Sequence, residues 1–512
     1  MHLAPARHLS RRSESLVAFG VFFLVILILK FRVLDQPPVW DGAMSIFPAA
    51  NTLADHNFNL GFLLKQPGFA SAGPNVHSLS PITWLTAGVI SLLGSSAGLL
   101  PTLHLVHFAI AAAAMAGFFQ FVRPLGVWLA GLTSVAALAT PVVLTQAGYV
   151  YLEFPMLAAT VYGALAWVDR DVRWAVGWSV VAVLIKGSGI IVPFALAGAA
   201  LFDPRSSRPD LRSGVLLIGV PSAVLLAVVE ITSTLHAGVD GVSYSGYVIL
   251  MMMYLVRIPD VLVLMIAYFL VVLAFARWNK PGMSAPEGDD VNNTESEGLR
   301  SAMLITSFLI AAFLCFYLAV PLVEGQTVVN PRYYVQIVPF ALFGTVAALR
   351  QQRRYQMVAF VLILSLTWSV ANRNGDFYPD NSINNFGLIE RSGAYVDLLG
   401  LQLAEMRALQ QLPGNVPKFY DQSTHLRFKY PLMGYADGAL PNGYFVLGDD
   451  QTKDGRLENF PDDFYMMYEY PWLGGEAFRA ILRQAEADSS VSVTVTEISY
   501  GDFTSQLVRV QK

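Results

Sequence analysis

The sequence has little cysteine and little charge, and both shortages limit what the protein can be. Its only cysteine, Cys315, lies inside an apolar run, which excludes a disulfide framework and a cysteine-based metal site. Charged residues make up 14% of the 512, whereas a soluble domain has about 25%. The net charge of −4 is too small to indicate a nucleic acid as partner. The sequence also lacks an internal repeat, a P-loop, a Gly-rich dinucleotide fingerprint and zinc-ligand spacing.

Apolar residues dominate what is present. They make up 54% of the chain, and the mean hydropathy is +0.50, so we expect lipid to be the main solvent. Near the start, Arg7, Arg11 and Arg12 precede an apolar segment at 16–29. No small-residue cleavage site follows, because the chain runs into Lys30, Phe31 and Arg32. This predicts a retained first span rather than a removed signal peptide.

The hydropathy pattern predicts about eleven membrane-spanning helices, since a span needs about 20 mostly apolar residues. The predicted spans are 15–34, 102–122, 126–146, 154–168, 174–186, 188–202, 213–232, 251–276, 301–322, 333–349 and 355–371. Most of the arginines between the spans then fall on one side, as expected for cytoplasmic loops. We therefore expect a multi-pass protein of the bacterial inner membrane, with a cytoplasmic N-terminus and an extracytoplasmic C-terminus.

Residues 82–94 are apolar but too short to span comfortably. Counting them as a span would move Arg123, Arg170 and Arg173 to the outer side, so we predict a helix that lies on the outer membrane surface. The first outer loop then runs from about residue 35 to 101, which is long for a mere connection.

Two further regions are polar. Residues 277–300 are rich in Gly, Pro, Asn and acidic residues and predict a flexible inner loop. Residues 372–512 predict a small extracytoplasmic α+β domain behind the transmembrane domain 1–371. Its expected helices lie near 393–411 and 475–488, and its expected strands lie at 443–448, 491–498 and 504–510. Val491, Val493 and Val495 alternate with polar residues, as in a half-buried strand.

Two carboxylates fall at predicted outer ends of spans, where ionisable groups are costly and often functional. Asp41 follows Trp40 just after the first span, where it could act as a general base or simply cap the next helix. Glu153, in the sequence YLEFP, lies at the third outer turn. An acidic residue in the first turn of a helix is also stabilised by the helix dipole, without any catalytic role.

Cations and aromatics occur at the same predicted face. Lys186 precedes Gly187 between two short apolar runs, where it could bind a phosphate or extend its amine to the interface. Arg332 could hold a phosphate with two hydrogen bonds, and Tyr333 could bind the same group or belong to an interfacial aromatic belt. Arg257 is a weaker candidate that could pair with Asp260. His77, in the first outer loop, is weaker still.

In their order, these features resemble the GT-C glycosyltransferases, in particular the protein O-mannosyltransferases and the aminoarabinose transferases that act on lipid A. The resemblance covers about residues 15–371. It rests on Trp40-Asp41 opening the first outer loop, on residues 78–84 (SLSPITW) running to Gly94, on Glu153 before a span, on Lys186-Gly187 between short spans, and on Arg332-Tyr333 before a late span. The family's acidic pair is reduced here to Asp41 followed by Gly42. Its second outer acid, often Asp, is Glu153.

The resemblance implies a sugar donor carried on undecaprenyl or decaprenyl phosphate and an extracytoplasmic acceptor that is a glycolipid, a polysaccharide or a protein. Asp41 would take the proton of the acceptor hydroxyl, and one displacement would invert the anomeric carbon. Glu153 would orient the acceptor or help to hold a metal. The donor phosphate would meet Lys186, Arg332, Tyr333 and Arg257, and the acceptor or sugar would meet Trp40, His77 and Tyr149. No cofactor is certain, and a divalent cation, Mg²⁺ or Mn²⁺, stays open with Asp41 and Glu153 as its ligands.

Other functions remain open from the sequence. One is a transporter or flippase for a lipid-linked or anionic solute, although transporters often show inverted repeats and broken helices near the midplane. Another is a non-catalytic scaffold of an envelope assembly, which would leave the long first loop and the ordered charges unexplained. Within the GT-C class, an oligosaccharide ligase is a further alternative.

Overall fold

The computed structural model describes most of the chain and leaves several segments out. The described residues are 11–38, 42–64, 79–94, 97–202, 210–232, 266, 268–269, 293–324, 331–351, 354, 356–359, 361, 394–420, 422–436, 444–446, 456–468, 475–501 and 503–512. Trp40, Asp41, His77 and Arg257 lie outside these residues, as do most of the predicted spans 251–276 and 355–371.

Up to residue 351 the described part of the chain is helical. The helices are α1 (Arg11–Lys30), α2 (Phe47–Asp55), α3 (Leu60–Leu64), α4 (Pro81–Leu93), α5 (Leu99–Phe121), α6 (Val127–Ala139), α7 (Pro141–Gln146), α8 (Glu153–Val168), α9 (Val172–Ile185), α10 (Ile191–Leu201), α11 (Leu211–Thr232), α12 (Asn293–Glu324) and α13 (Val338–Gln351). A π-helical segment (Gly42–Ile46) precedes α2, and 3₁₀ segments precede α10 (Gly187–Ile190) and α13 (Pro331–Gln336).

Four segments among the described residues are long and apolar enough to cross a membrane: Arg12–Val33, Leu99–Phe121, Leu211–Val228 and Glu297–Phe316. The helices at the other described predicted spans are apolar but shorter. The predicted number of about eleven spans is therefore not confirmed, although the chain has the apolar helices of a multi-pass membrane protein.

Two predicted boundaries are wrong. The predicted span 126–146 is two helices, because α6 ends at Ala139 and α7 begins at Pro141. Proline has no backbone N–H and is favoured at the first position of a helix, so it starts a new helix here. The predicted flexible loop 277–300 is helical from Asn293 onward, where α12 begins. Its Glu and Arg residues are good helix formers, and the apolar span behind them extends the helix into the polar segment.

Residues predicted at opposite faces of the membrane gather at opposite ends of the helices. At one end, the Arg123 guanidinium makes two hydrogen bonds of 3.0 and 3.1 Å to Glu14, and Arg350 donates to the carbonyl oxygen of Pro124. At the other end, α8 begins with Glu153, which meets Lys186 and Arg332. The side assigned to each end stays a prediction.

The predicted first outer loop contains α2, α3 and α4. Helix α4 begins after Ser80, whose hydroxyl accepts a hydrogen bond from Ile82 N, and it packs against α2. Its opposite face exposes Leu85 and Leu92. This two-sided arrangement is what a helix lying on a membrane surface requires, and that location stays a prediction.

The C-terminal region forms a small mixed sheet with helices. Helices α14 (Ala394–Gln410), α15 (Gln422–Lys429) and α16 (Gly475–Ala487) accompany strands β1 (Lys418–Tyr420), β2 (Tyr444–Val446), β3 (Asp463–Tyr468), β4 (Ser492–Tyr500) and β5 (Phe503–Gln511). The strand order is β2-β1-β3-β5-β4. Strand β1 runs parallel to β2 and β3, and β5 runs antiparallel to β3 and β4.

The predicted helices and strands of this region correspond to α14, α16, β2, β4 and β5. The predicted half-burial of 491–498 is confirmed for Val491 and Val493, which are half-buried and pack against the core of the sheet domain. It is wrong for Val495, which is 44% exposed on this edge strand. The buried partner is β5, whose Val508 and Val510 are 0% exposed.

The C-terminal sheet domain and the helical part share one apolar core. Ala43, Phe47 and Tyr149 from the helical part pack in a single cluster with Met406 and Met433 from the C-terminal region. Burying a large apolar side chain stabilises a fold by about 1.5–3 kcal/mol, so this shared cluster holds the C-terminal region against the end of the helices where Glu153 lies.

Candidate functional site

The site is built around Glu153, the first residue of α8. Its side chain is 0% exposed. Helix α8 accommodates Pro155 because the N–H groups of a first turn have no helical partner. The positive end of the helix dipole also favours a carboxylate at this position. The carboxylate is therefore placed at a helix start and removed from water.

Two cations meet this carboxylate from different parts of the chain. Lys186 Nζ donates to Glu153 Oε1 at 3.0 Å, and Arg332 Nε lies 3.6 Å from the same oxygen. Lys186 and Arg332 side chains are only 12% and 5% exposed. A buried charge is costly unless it is paired. Glu153 is the carboxylate that both cations contact, and its attraction to each offsets their mutual repulsion.

The backbone explains why both cations reach Glu153. Helix α9 ends at Ile185, and Lys186 has extended backbone angles (φ −158°, ψ 142°) between α9 and the following 3₁₀ segment. Helices α8 and α9 pack side by side, which brings Lys186 back to the start of α8. Arg332 lies in the 3₁₀ segment Pro331–Gln336, which contacts α8.

Aromatic rings complete the site. Lys186 Nζ lies 4.0 Å from the centroid of the Tyr333 ring, and Arg332 Cζ lies 5.5 Å from it. Arg332 Cζ also lies 5.0 Å from the centroid of Tyr151. A ring face attracts a cation and adds about 0.5–2 kcal/mol depending on burial. The rings therefore hold the two cations beside Glu153.

The structure therefore brings together four of the predicted site residues: Glu153, Lys186, Arg332 and Tyr333. Tyr149, predicted to contact the acceptor or sugar, is 5% exposed and lies with its ring 6.2 Å from that of Tyr151. Burial, and then the nearby Tyr435, raise the pKa of Tyr149 far above its ordinary value. Tyr149 thus lies on the side of the site that faces the C-terminal region.

The predicted residues of the first outer loop are described only in part, because Trp40, Asp41 and His77 fall outside the described residues. Gly42, which follows Asp41, is described. A Cβ atom on Gly42 would lie 2.7 Å from Val150 O. The backbone after Asp41 therefore packs directly on the turn that leads into Glu153.

Sequence reasoning missed three contributors. Tyr151 carries Arg332 on its ring, and its only sequence signal was the Tyr-Val-Tyr pattern beside Glu153. His104 Nε2 lies 2.9 Å from Gln36 O, and its Nδ1 lies 3.0 Å from Gly148 O. The ring therefore links the start of the first outer loop with the turn before Glu153. Tyr435, more than 280 positions from Glu153 in the sequence, had no recognisable signal.

The described residues do not by themselves form a metal site. No group of three or more His, Cys, Asp or Glu side chains among them could hold a metal ion. Glu153 Oε1 is engaged by two cations, and only Oε2 has no hydrogen-bond partner within the described part. Mg²⁺ prefers octahedral oxygen coordination, so one carboxylate oxygen next to two positive side chains is a poor fit.

The fold is similar to that of ArnT from Cupriavidus metallidurans in its crystal structure bound to undecaprenyl phosphate. The two chains are 13% identical, the TM-score is 0.50, and the match covers 96% of this chain and 97% of that one. The apo structure of ArnT from the same organism matches at 14% identity and TM-score 0.42, covering 98% of each chain. An Archaeoglobus fulgidus oligosaccharyltransferase in complex with zinc and sulfate matches at 12% identity and TM-score 0.40, covering 83% of this chain and 62% of that one.

No known family profile and no curated sequence matches the chain. At 13% identity the first match concerns the fold alone. The chain has the GT-C-like fold of ArnT, a lipid A aminoarabinose transferase, and the resemblance found in the sequence is confirmed at the level of the fold.

Proposed function

We propose that this protein is a membrane glycosyltransferase that moves a sugar from a polyprenyl-phosphate donor to an extracytoplasmic acceptor, with inversion at the anomeric carbon. The observation that carries the proposal is the buried contact of Lys186 and Arg332 with Glu153. The undecaprenyl phosphate bound to ArnT, whose fold this chain resembles, supports a lipid-linked phosphate as the ligand.

The two cations fit the proposed donor. A sugar joined to a polyprenyl phosphate is a phosphodiester and carries one negative charge, which two neighbouring cations, Lys186 and Arg332, would attract. Arg332 suits phosphate because its planar guanidinium can donate two parallel hydrogen bonds. Glu153 would fix the positions of both cations, so that they need not rearrange when the phosphate binds.

The reaction follows from these roles. The acceptor hydroxyl attacks the anomeric carbon, and its proton passes to the proposed base, Asp41. The bond between the anomeric carbon and the phosphate oxygen breaks, and its electron pair leaves with the polyprenyl phosphate. Lys186 and Arg332 stabilise the negative charge that grows on that oxygen. Removing one positioned donor from a comparable site costs roughly 100- to 1000-fold in rate.

Other predicted contacts extend the proposal. Tyr333 would border the phosphate through its contact with Lys186. Tyr149, Trp40 and His77 are proposed to meet the sugar or the acceptor, and Arg257 is proposed as a further phosphate contact. The reaction as proposed contains no metal step.

The test uses purified protein in lipid vesicles with a radiolabelled polyprenyl-phosphate sugar and envelope extract as the source of acceptor. We expect label to pass to the acceptor, and Lys186→Met and Arg332→Met to reduce the rate by roughly 100-fold or more. The matched control is Arg12→Met, which removes an exposed positive charge from α1. Full activity of both site variants would overturn the phosphate role, and movement of lipid-linked sugar without transfer would indicate the transporter instead.

A further inference from the structure

We infer that the C-terminal sheet domain positions the first outer loop for catalysis, and that Tyr435 is the positioning residue. The structural part of this inference stands on contacts between described residues. Its catalytic part rests on the proposed function, in which the loop supplies the base.

Tyr435 reaches from the C-terminal domain to the start of the loop. Its hydroxyl donates a hydrogen bond of 2.8 Å to the carbonyl oxygen of Pro38, and the contact is buried. A buried carbonyl must find a donor, and the Pro37-Pro38 pair has no backbone N–H of its own to offer nearby groups. Tyr435 therefore satisfies a carbonyl just before the Trp40-Asp41 pair in the sequence.

Helix α14 supports the tyrosine from behind. Gln402 Oε1 lies 3.4 Å from the Tyr435 hydroxyl. A hydroxyl has one hydrogen, which the shorter contact assigns to Pro38, so a flipped Gln402 amide would donate to the tyrosine oxygen instead. The Arg427 guanidinium lies 5.0 Å from the centroid of the Tyr435 ring. Both Gln402 and Arg427 are buried, so the ring is held on two sides.

Residues next to Tyr435 pack closely against the first outer loop. Gly434 has a left-handed φ of +82°, and a Cβ there would lie 2.9 Å from Leu100 Cδ1 and 3.8 Å from Pro37 Cγ. Glycine allows both this backbone conformation and this close approach. Tyr430, five residues before Tyr435, packs in the same apolar cluster as Leu53 of α2.

A second contact falls on the other side of residues 39–41 in the sequence. Helix α15 contacts the π-helical segment Gly42–Ile46. The C-terminal domain thus contacts the loop both at residues 37–38 and at residues 42–46. Gly42 of the same segment also packs against Val150. The segment Gly42–Ile46 is therefore in contact with both the C-terminal domain and the turn before Glu153.

The consequence is a division of labour between the two parts of the chain. The helical part supplies the proposed phosphate site of Lys186 and Arg332. The C-terminal domain fixes the loop that bears the proposed base, and thereby its distance from that phosphate site. Small errors in such a distance reduce the rate strongly. Loss of the Tyr435 contact should lower kcat and leave donor binding intact.

The test compares Tyr435→Phe with Tyr500→Phe in lipid nanodiscs. Each variant loses one hydroxyl from the same domain, but Tyr500 lies on the edge strand β4 and its ring packs on Gly400 of α14. We measure hydrogen exchange of peptides that cover residues 42–46, and the kcat and KM for the lipid-linked donor. For Tyr435→Phe we expect hydrogen exchange to be about tenfold faster and kcat to be about tenfold lower, with the donor KM unchanged. A tenfold change corresponds to about 1.4 kcal/mol. Tyr500→Phe should match the unmodified chain in both.

The two measurements separate the two proposals. Unchanged exchange in Tyr435→Phe would overturn the docking, whatever the activity does. Faster exchange with unchanged kcat would overturn the positioning role. If the unmodified chain transfers no sugar, the proposed function and the catalytic part fail, while the exchange data still test the docking. Should Tyr435→Phe fold poorly, Gln402→Met replaces it, because it removes the polar contact that holds the Tyr435 hydroxyl. We then expect faster exchange at residues 42–46 and a lower kcat, each by less than tenfold, and unchanged values of both would overturn the positioning role.

Discussion

Lys186 Nζ lies 3.0 Å from Glu153 Oε1 although 32 residues separate them in the chain. The contact exists because the chain reverses after Val168 and α9 runs back along α8. The two residues stand at the same end of this helical pair, and Arg332 joins them from a segment much further along the chain.

Glu153→Gln should be among the most damaging single substitutions in the chain. It removes the buried negative charge that Lys186 and Arg332 both contact, and breaking a buried pair costs about 3–5 kcal/mol. We expect a lower midpoint of thermal unfolding in detergent and loss of transfer. Glu14→Gln is the control, because it breaks another Glu–Arg pair at the opposite end of the helices. Equal stability of the two variants would contradict the importance of the buried trio.

Asp41→Asn should abolish transfer while the protein remains folded. The amide keeps the size of the side chain but cannot accept the proton of the acceptor hydroxyl at neutral pH. The measurement is initial rate of transfer alongside thermal unfolding. Asp35→Asn, an exposed position six residues earlier, should retain its activity. An active Asp41→Asn variant would remove Asp41 as the proposed base.

His104→Phe should loosen the link between the two outer loops. A neutral imidazole donates to one of the two carbonyls at a time, and phenylalanine fills the space but donates to neither. An unpaired buried carbonyl costs about 1–3 kcal/mol. We expect a lower free energy of unfolding by about that amount and faster hydrogen exchange near residues 148–152. His107→Phe should cost less, because the His107 Nδ1 faces Leu103 O in its own helix. The same loss in both variants would argue against a specific role for the link.

Acidification should weaken the C-terminal domain through His425. Burial, and then the positive charge of Lys429, lower the pKa of this histidine below its ordinary 6.5. The unfolded chain therefore binds a proton first, so stability declines as the pH falls below about 6.5 and stops declining below the folded-state pKa. Thermal unfolding at about pH 7.5 and pH 5.5 measures the loss. His425→Gln should lose less over that interval, and an equal loss would exclude His425 as the cause.

Much of the helical fold follows from the sequence because lipid and core burial both demand long apolar runs. The expected spans at 102–122, 154–168 and 213–232 correspond closely to α5, α8 and α11. The break at Pro141 was readable, since proline rarely continues a helix, but hydropathy alone passes over it. The sequence did not predict the three-residue strand β1, because so short a segment becomes a strand only through its pairing with β2 and β3.

The composition of the site was more predictable than its arrangement. Glu153, Lys186, Arg332 and Tyr333 were identified by their charge or ring at the ends of apolar runs. That Glu153 pairs with both cations depends on how α8, α9 and the segment Pro331–Gln336 pack, which no local pattern encodes. Tyr435 was hidden for the same reason, since its role arises only when a distant domain meets Pro38.

The 2.7 Å spacing between a hypothetical Cβ on Gly42 and Val150 O leaves the two backbones with nothing compressible between them. Protein interiors packed this closely transmit displacement rather than absorb it. A displacement of the backbone at either Gly42 or Val150 must therefore shift the other as well. The relative position of these two segments is therefore fixed before any ligand binds. Even a single methyl group at position 42 would force them apart.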